Sequence, residues 1–310
     1  TTRFAELSAK ITVQLEDGEA LALREHHHDL WLCAFECNGQ PLLAFGLAGC
    51  PAQDAALGSV PVEHGHALVM TVLTLFLELA RPEHTRMRHL FKERAITDFV
   101  AQLAQRLSVA IGPAAAWPRA THSRQSPIGT YPQRETGQVY VGATLALGRL
   151  DAAQLSALAK IATRYGNGTL RFTPWQGVLV PHVRAEQAAC VTQALHALGL
   201  LCDAQHPLTQ MVACTGSSAC IKGLADTKQD ARRLASLISQ PQPIHLTGCL
   251  RSCAAAHVAP VTLLAVAPGH YDLYLRDPQH AGFGVLRERN LTIEAAGAWL
   301  EARQRSNTHD

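Results

Sequence analysis

Short apolar runs alternate with polar breaks over residues 11–45, where "ITVQL", "LWLCAF" and "PLLAFGL" read as strands joined by loops. The stretch "ALVMTVLTLFLELA" at 67–80 predicts a buried helix, and it is shorter than the roughly 18 apolar residues that a membrane span needs. Ile96, Phe99, Val100, Leu103 and Leu107 then recur at the three-and-four spacing of one helix face. From 113 to 136 no period is sustained, which predicts a connection between domains.

Beyond that connection the pattern sharpens. "QVYVGATLAL" is strand-like, and "DAAQ" opens a helix with Asp151 as N-cap and Gln154 at the third position. "GNG" at 166–168 ends it, "TLRFTPWQGVLVPHV" supplies two short strands around Pro174, and "AEQAACVTQALHALG" is a helix stopped at Gly199. Strand, helix, strand, strand, helix is most of a ferredoxin-like unit. A further helix over "DTKQDARRLASLI", capped by Thr227, is followed by strands "VAPVTLLAV" and "YDLYL" joined at "PGH". The fold class this predicts is α+β.

Length and composition add bounds. A chain of 310 residues has room for two domains, and 47% hydrophobic against 17% charged residues describes a chain that buries a core. A formal charge of +2 gives no basis for nucleic-acid binding. Without a charged-then-apolar leader or a spanning stretch, the expected location is cytoplasmic, with no membrane partner.

In a reducing compartment nine cysteines are buried thiols, redox groups or metal ligands. Cys33, Cys37, Cys50, Cys190 and Cys202 lie among apolar neighbours and are expected in the core. Cys214, Cys220, Cys249 and Cys253 differ: they form Cys-x5-Cys and Cys-x3-Cys pairs flanking a helix. Structural zinc favours shorter gaps within a pair, whereas iron–sulfur clusters accept varied ones, so spacing leans toward a cluster and leaves zinc and inert thiols open. Gly216, Gly223 and Gly248 beside them allow close backbone approach and N–H donation to sulfur.

These pairs, with "VYVGATLALGRL" and "LRFTPWQGVLVP", resemble the second half of the nitrite and sulfite reductase family, whose hallmark is this cysteine pattern on a four-iron cluster. Through "RMRHLF", "LRFTPWQ", "ADTKQDARRLA" and "IHLTGCLRSCAAAHVAP", the likeness within it is to the precorrin-3B synthases of aerobic cobalamin synthesis. It runs from about residue 7 onward and implies a first reductase-type α/β domain over 1–112, a linker over 113–136, a ferredoxin-like half-domain over 137–205 and a 4Fe-4S cluster domain over 206–310. The family's first ferredoxin-like half has no counterpart in it.

The resemblance implies an iron–sulfur oxidoreductase acting on a tetrapyrrole: a monooxygenase that hydroxylates precorrin-3A and forms a lactone, using a mononuclear non-haem iron besides the 4Fe-4S cluster. The alternatives it leaves are a sirohaem-dependent sulfite or nitrite reductase, and a cluster-bearing subunit completed by a partner chain that supplies the missing half. Electrons would come from ferredoxin or an NADH-linked reductase. The four cysteines would be the cluster ligands, with Cys253 at the position shared with sirohaem iron. Lys10 matches the first of two substrate-contacting lysines, Thr12 replaces the second, and Arg251 keeps the charge of the last cysteine turn, where the family usually carries Lys-Gly. Arg86, Arg88, Arg171 and Lys222 are candidates for the macrocycle's carboxylates, because guanidinium forks bind carboxylate in two places, and Gln176 lies in a stretch the family sets near the ring. "EHHHD" at 25–29 reads as a solvated loop, since adjacent side chains diverge too far for three histidines to share one metal. His257 is a nearer candidate for a role beside the cluster.

Overall fold

A computed structural model describes residues 2–17, 21–22, 24–114, 117, 128–255 and 258–307, and the chain divides into two compact units, residues 1–125 and 126–310. The first unit contains β1 (Val13–Glu16), β2 (His28–Cys37), β3 (Gln40–Gly49), β4 (Gly58–Pro61), α1 (Gly65–Leu79), α2 (Met87–Leu90) and α3 (Ile96–Arg106). The sheet order is β1-β2-β3-β4, with β1 parallel to β2 and the rest antiparallel. A two-residue turn at Asn38 and Gly39, both at positive φ, closes the β2–β3 hairpin in the twist the strands require.

β2 has no polar alternation because both of its faces are buried. Leu30 and Leu32 face Leu68, Val72, Leu75, Phe99 and Leu103 of the helices. Trp31 and Cys33 face the other way, against Ala44 and Trp117. With the 3-10 turn before it, α1 spans 18 residues, long and apolar enough to cross a bilayer by composition, which corrects the shorter length expected from sequence. Its Leu68, Val72, Leu75 and Phe76 are nevertheless core residues of this unit, as a buried amphipathic helix requires.

The "EHHHD" stretch is the solvated loop expected only in its first part, where Glu25 and His27 are exposed. His28 already belongs to β2, and Asp29 is only 1% exposed. Burying a carboxylate is costly unless donors surround it. Asp29 Oδ1 accepts from the Met87 N–H at 2.7 Å, and Oδ2 accepts from Arg86 Nε at 2.7 Å and the Thr12 N–H at 3.0 Å.

The second unit contains β5 (Gly129–Pro132), β6 (Gln138–Thr144), α4 (Ala152–Tyr165), β7 (Arg171–Phe172), β8 (Gly177–Arg184), α5 (Ala188–Ala197), β9 (Met211–Ala213), α6 (Thr227–Ala235), β10 (Ile244–Thr247), β11 (Val261–Ala267), β12 (His270–Leu275), β13 (Val285–Thr292) and α7 (Ile293–Asn307). The first of its sheets is antiparallel, ordered β5-β6-β8-β7, and packs on α4 and α5 through Val141, Leu158, Val178, Val191 and Leu195. The capping box predicted at Asp151 and Gln154 is formed in both directions.

The other sheet is ordered β13-β12-β11-β10-β9, with β9, β10 and β11 parallel, and α6 and α7 cover one face around Leu234, Leu246, Leu263 and Leu300. Asp226, not Thr227, is the N-cap of α6: its carboxylate accepts from the Gln229 N–H, while Thr227 is buried and donates to the Cys214 carbonyl at 2.9 Å.

Of the five cysteines expected in the core, Cys33 and Cys50 are buried, Cys37 and Cys202 are half-buried, and Cys190 is exposed. The apolar stripe of α5 runs through Ala188, Val191 and Leu195, which turns Cys190 toward solvent.

Candidate functional site

Parallel strands point the same way, and their C-terminal ends are where open α/β sheets place their ligands. β9 stops at Ala213, one residue before Cys214. β10, paired with it at Leu246↔Ala213, stops at Thr247, two residues before Cys249. Both cysteine pairs therefore leave the sheet at one edge.

The loops interlock by backbone bonds. The Cys214 N–H donates to the Leu246 carbonyl at 3.2 Å, and the Leu224 N–H to the Gly248 carbonyl at 3.0 Å. Gly248 N–H donates to Cys214 Sγ at 3.2 Å, so one of the three glycines supplies the expected donor to sulfur, whereas the Gly223 N–H goes to the Cys220 carbonyl. Such donors lower the charge density on a ligating thiolate. Gly223 and Gly216 touch backbone to backbone: a Cβ on Gly223 would meet the Gly216 carbonyl carbon at 2.6 Å. Gly216 also takes φ +70°, where a side chain is strained. In the turn between the last two cysteines, Ser252 takes φ +52° and bonds the Ala255 carbonyl at 3.3 Å, so a non-glycine residue holds a left-handed position.

Four thiolates around zinc at about 2.3 Å stand roughly 3.8 Å from one another. Among the described residues no three of the four sulfurs lie within 4.8 Å of one another. In chemical terms an all-sulfur donor set carried by two loops suits an iron–sulfur cluster. Cys214, Cys220 and Cys249 are half-buried and Cys253 is exposed.

The side chains around the sulfurs divide into two chemical kinds. Ile221 is fully exposed, Leu250 is 77% exposed and Leu224 50%. Lys222 and Arg251, both exposed, stand next to Ile221 and Leu250 in sequence.

A residue that sequence reasoning missed joins the two halves of this unit. Lys228, in the first turn of α6, donates from Nζ to the Ala213 carbonyl at 3.0 Å and to the Leu147 carbonyl at 2.7 Å. Burial, then the nearby Arg149 guanidinium, lowers its pKa. Leu147 is held at φ +55° beside Gly148, against which the Gln176 side chain lies. Gln176 itself takes φ +60°, and its carbonyl accepts from the Leu145 N–H at 2.8 Å. The signal available in sequence was a lone lysine two residues past the cap of an otherwise amphipathic helix, and nothing local says which carbonyls it reaches.

The remaining candidates fall in different places. Arg171 is exposed on β7, and Trp175, next to Gln176, is half-buried. Lys10, Arg86 and Arg88 belong to the first unit. Arg88 is exposed on α2, and Lys10 is exposed with its N–H on Ser8. Arg86 is committed to Asp29 and also donates to Thr12 Oγ1 at 3.4 Å, so its charge is neutralised within its own unit. His257 lies outside the described residues.

On β10, facing away from α6 and α7, His245 is 1% exposed, and its Nε2 has no hydrogen-bond partner among the described residues. Burial pushes its pKa down to about 4. The unfolded chain protonates this imidazole near pH 6.5 and the folded chain only near pH 4, so stability is complete above pH 6.5 and is lost between those values. The expected loss is about 3 kcal/mol, at about 1.4 kcal/mol per pH unit. Urea unfolding from pH 7 to 4 should show a steeper decline in the wild type than in His245→Gln, and parallel curves would contradict the assignment.

Residues 131–198 match the family model described as nitrite/sulfite reductase ferredoxin-like half domain. The chain is 30% identical over 280 residues to a ferredoxin–nitrite reductase of Synechococcus elongatus, which covers 85% of this chain and 54% of that protein. It is 30% identical over 193 residues to the chloroplastic ferredoxin–nitrite reductase of Oryza sativa (58% of this chain, 32% of that one), and 31% identical over 183 residues to a sulfite reductase [ferredoxin] 2 of Mycolicibacterium paratuberculosis (52% and 33%). The chain thus spans about a third of the plant enzyme and about half of the cyanobacterial one. The structure of the Mycobacterium tuberculosis NirA protein superposes with a TM-score of 0.71 at 21% identity, over 93% of this chain and 58% of that one, and shares its fold. Residues 131–198 thus carry the nitrite/sulfite reductase ferredoxin-like half domain, and the chain as a whole is similar to ferredoxin–nitrite and sulfite reductases and shares the α+β fold of NirA.

Proposed function

We propose that this chain is the cluster-bearing part of a ferredoxin-linked oxidoreductase that reduces nitrite or sulfite on a sirohaem. The observation that carries this reading is the delivery of Cys214, Cys220, Cys249 and Cys253 to one sheet edge by the adjacent strands β9 and β10, in a chain with ferredoxin–nitrite reductase relatives. These four would hold a 4Fe-4S cluster, which supplies electrons one at a time to the tetrapyrrole. Ile221 and Leu250 offer apolar surface to a flat macrocycle, and Lys222 and Arg251 offer cations to its carboxylates. Lys228 holds the backbone before Cys214 against the turn at Leu147, on which the Gln176 side chain lies, and so ties the cysteine loop to that side of the unit.

One observation favours a second reading, in which the tetrapyrrole is substrate and the activity is O2-dependent hydroxylation and lactone formation of the precorrin-3B synthase kind. Where the reductases carry a second lysine, this chain has Thr12, and Thr12 and Arg86 are both bound to Asp29. An anion site at this position lacks that cation.

Anaerobic purification followed by a visible spectrum and acid–acetone extraction separates the two. Under the reductase reading the extract contains sirohaem, and reduced methyl viologen is oxidised by nitrite or sulfite. Cluster iron with no extractable sirohaem, together with O2 uptake on precorrin-3A, would replace it with the second. A colourless protein containing zinc would overturn both.

A further inference from the structure

The first unit gathers a set of metal-ligating side chains of its own. His27, Cys50 and Asp54 each present a donor atom, and the three atoms lie within 4.8 Å of one another. The backbone builds this convergence. β2 and β3 pair His28 with Gly49, which brings His27 and Cys50 together just past the paired ends of the two strands. The Ala52 N–H donates to the Arg24 carbonyl at 3.0 Å, tying the segment before β2 to the turn after β3.

Within that turn the Gln53 and Asp54 N–H groups donate to the Cys50 carbonyl at 3.2 and 3.0 Å, and the Cys50 N–H donates back to Asp54 Oδ2 at 2.7 Å. This reciprocal bond orients the carboxylate and leaves Oδ1 for a ligand. Position 49 has to lack a side chain for Asp54 to lie there, because a Cβ on Gly49 would strike the carboxylate. Cys50 is buried while His27 and Asp54 are exposed, so the sulfur lies beneath and the other two donors face water.

We propose that His27, Cys50 and Asp54 bind a divalent transition-metal ion, with zinc as the natural match. A nitrogen, sulfur and oxygen set suits an ion of borderline softness and excludes magnesium and calcium, which take oxygen alone. Three protein ligands with an open fourth position are the pattern of zinc sites that keep an exchangeable water, unlike closed four-ligand structural sites. The site shares no residue with the cysteine loops and stands independently of the cluster reading.

Two forms of the full chain test it. In the first, Cys214, Cys220, Cys249 and Cys253 are all changed to serine so that those loops cannot take metal, and cobalt(II) is titrated in without oxygen. The expected result is one cobalt per chain with a near-ultraviolet sulfur-to-cobalt band. His27→Ala and Asp54→Ala, at exposed positions that leave the core intact, should weaken binding by at least about tenfold, and Cys50→Ala should abolish the band. In the second form, the wild-type chain with its iron already loaded is exposed to zinc, desalted and analysed. One zinc beyond the iron content is expected, and His27→Ala should lose it. Absence of stoichiometric metal in both forms, or a cobalt band that survives Cys50→Ala, would overturn the proposal.

Discussion

Cys214→Ser yields a chain with less than about a tenth of the wild-type iron and acid-labile sulfide, because a hydroxyl is a harder and poorer ligand for cluster iron than a thiolate. Cys214 has the most constrained environment of the four. Its sulfur accepts the Gly248 N–H at 3.2 Å and lies 3.6 Å from Thr227 Oγ1, where the two loops interlock. Its backbone is held independently, by the Leu246 carbonyl on one side and the Thr227 hydroxyl on the other. The variant should therefore keep its helix content while losing metal, and circular dichroism beside iron analysis reads both. Cys190→Ser, on the exposed face of α5, is the matched control and should keep full iron loading. Four irons retained in Cys214→Ser would remove the basis for placing a cluster here.

Asp29→Ala should destabilise the first unit by about 3–5 kcal/mol, the range for breaking a buried, hydrogen-bonded ion pair by deleting one partner. The side chain is 2% exposed and its Arg86 partner 18%. Removing the carboxylate leaves the Arg86 guanidinium, the Met87 N–H and the Thr12 N–H without their acceptor in an environment that excludes water. Asp29→Asn keeps the shape and one acceptor oxygen and should cost less, and adding Arg86→Met to it should recover part of the loss by removing the stranded charge. Hydrogen exchange of β2 and β3 amides in denaturant isolates this unit from the other. A change under about 1 kcal/mol in Asp29→Ala would show that the carboxylate is dispensable.

Much of the local structure could be read directly from residue order. The capping box at Asp151 and Gln154, the helix stop at Gly199 and the strands before and after "PGH" depend on neighbours within a few positions, and all are formed. The same local rules erred where a distant partner prevails. "EHHHD" reads as polar and solvated until Arg86, 57 positions further on, neutralises Asp29 and lets it be buried. Thr227 reads as a cap until the carbonyl of Cys214 claims its hydroxyl and Asp226 caps instead. Cys50 is buried as its apolar setting predicts, yet its sulfur also lies with His27 and Asp54. A thiol with apolar neighbours looks the same in sequence in either case.

The order of residues by itself determined the ligand inventory: four cysteines in two tight pairs, glycines beside them, and a helix between. Chain spacing is a local property and needs no fold to be read. Tertiary structure alone decided that the pairs meet, because parallel pairing of β9 with β10 is a hydrogen-bonded choice between segments some thirty residues apart. It likewise decided which cations remain available, since a charge is neutralised or left exposed according to what packs against it. Arg86 is spent on Asp29, while Arg251 stays exposed in the cluster turn.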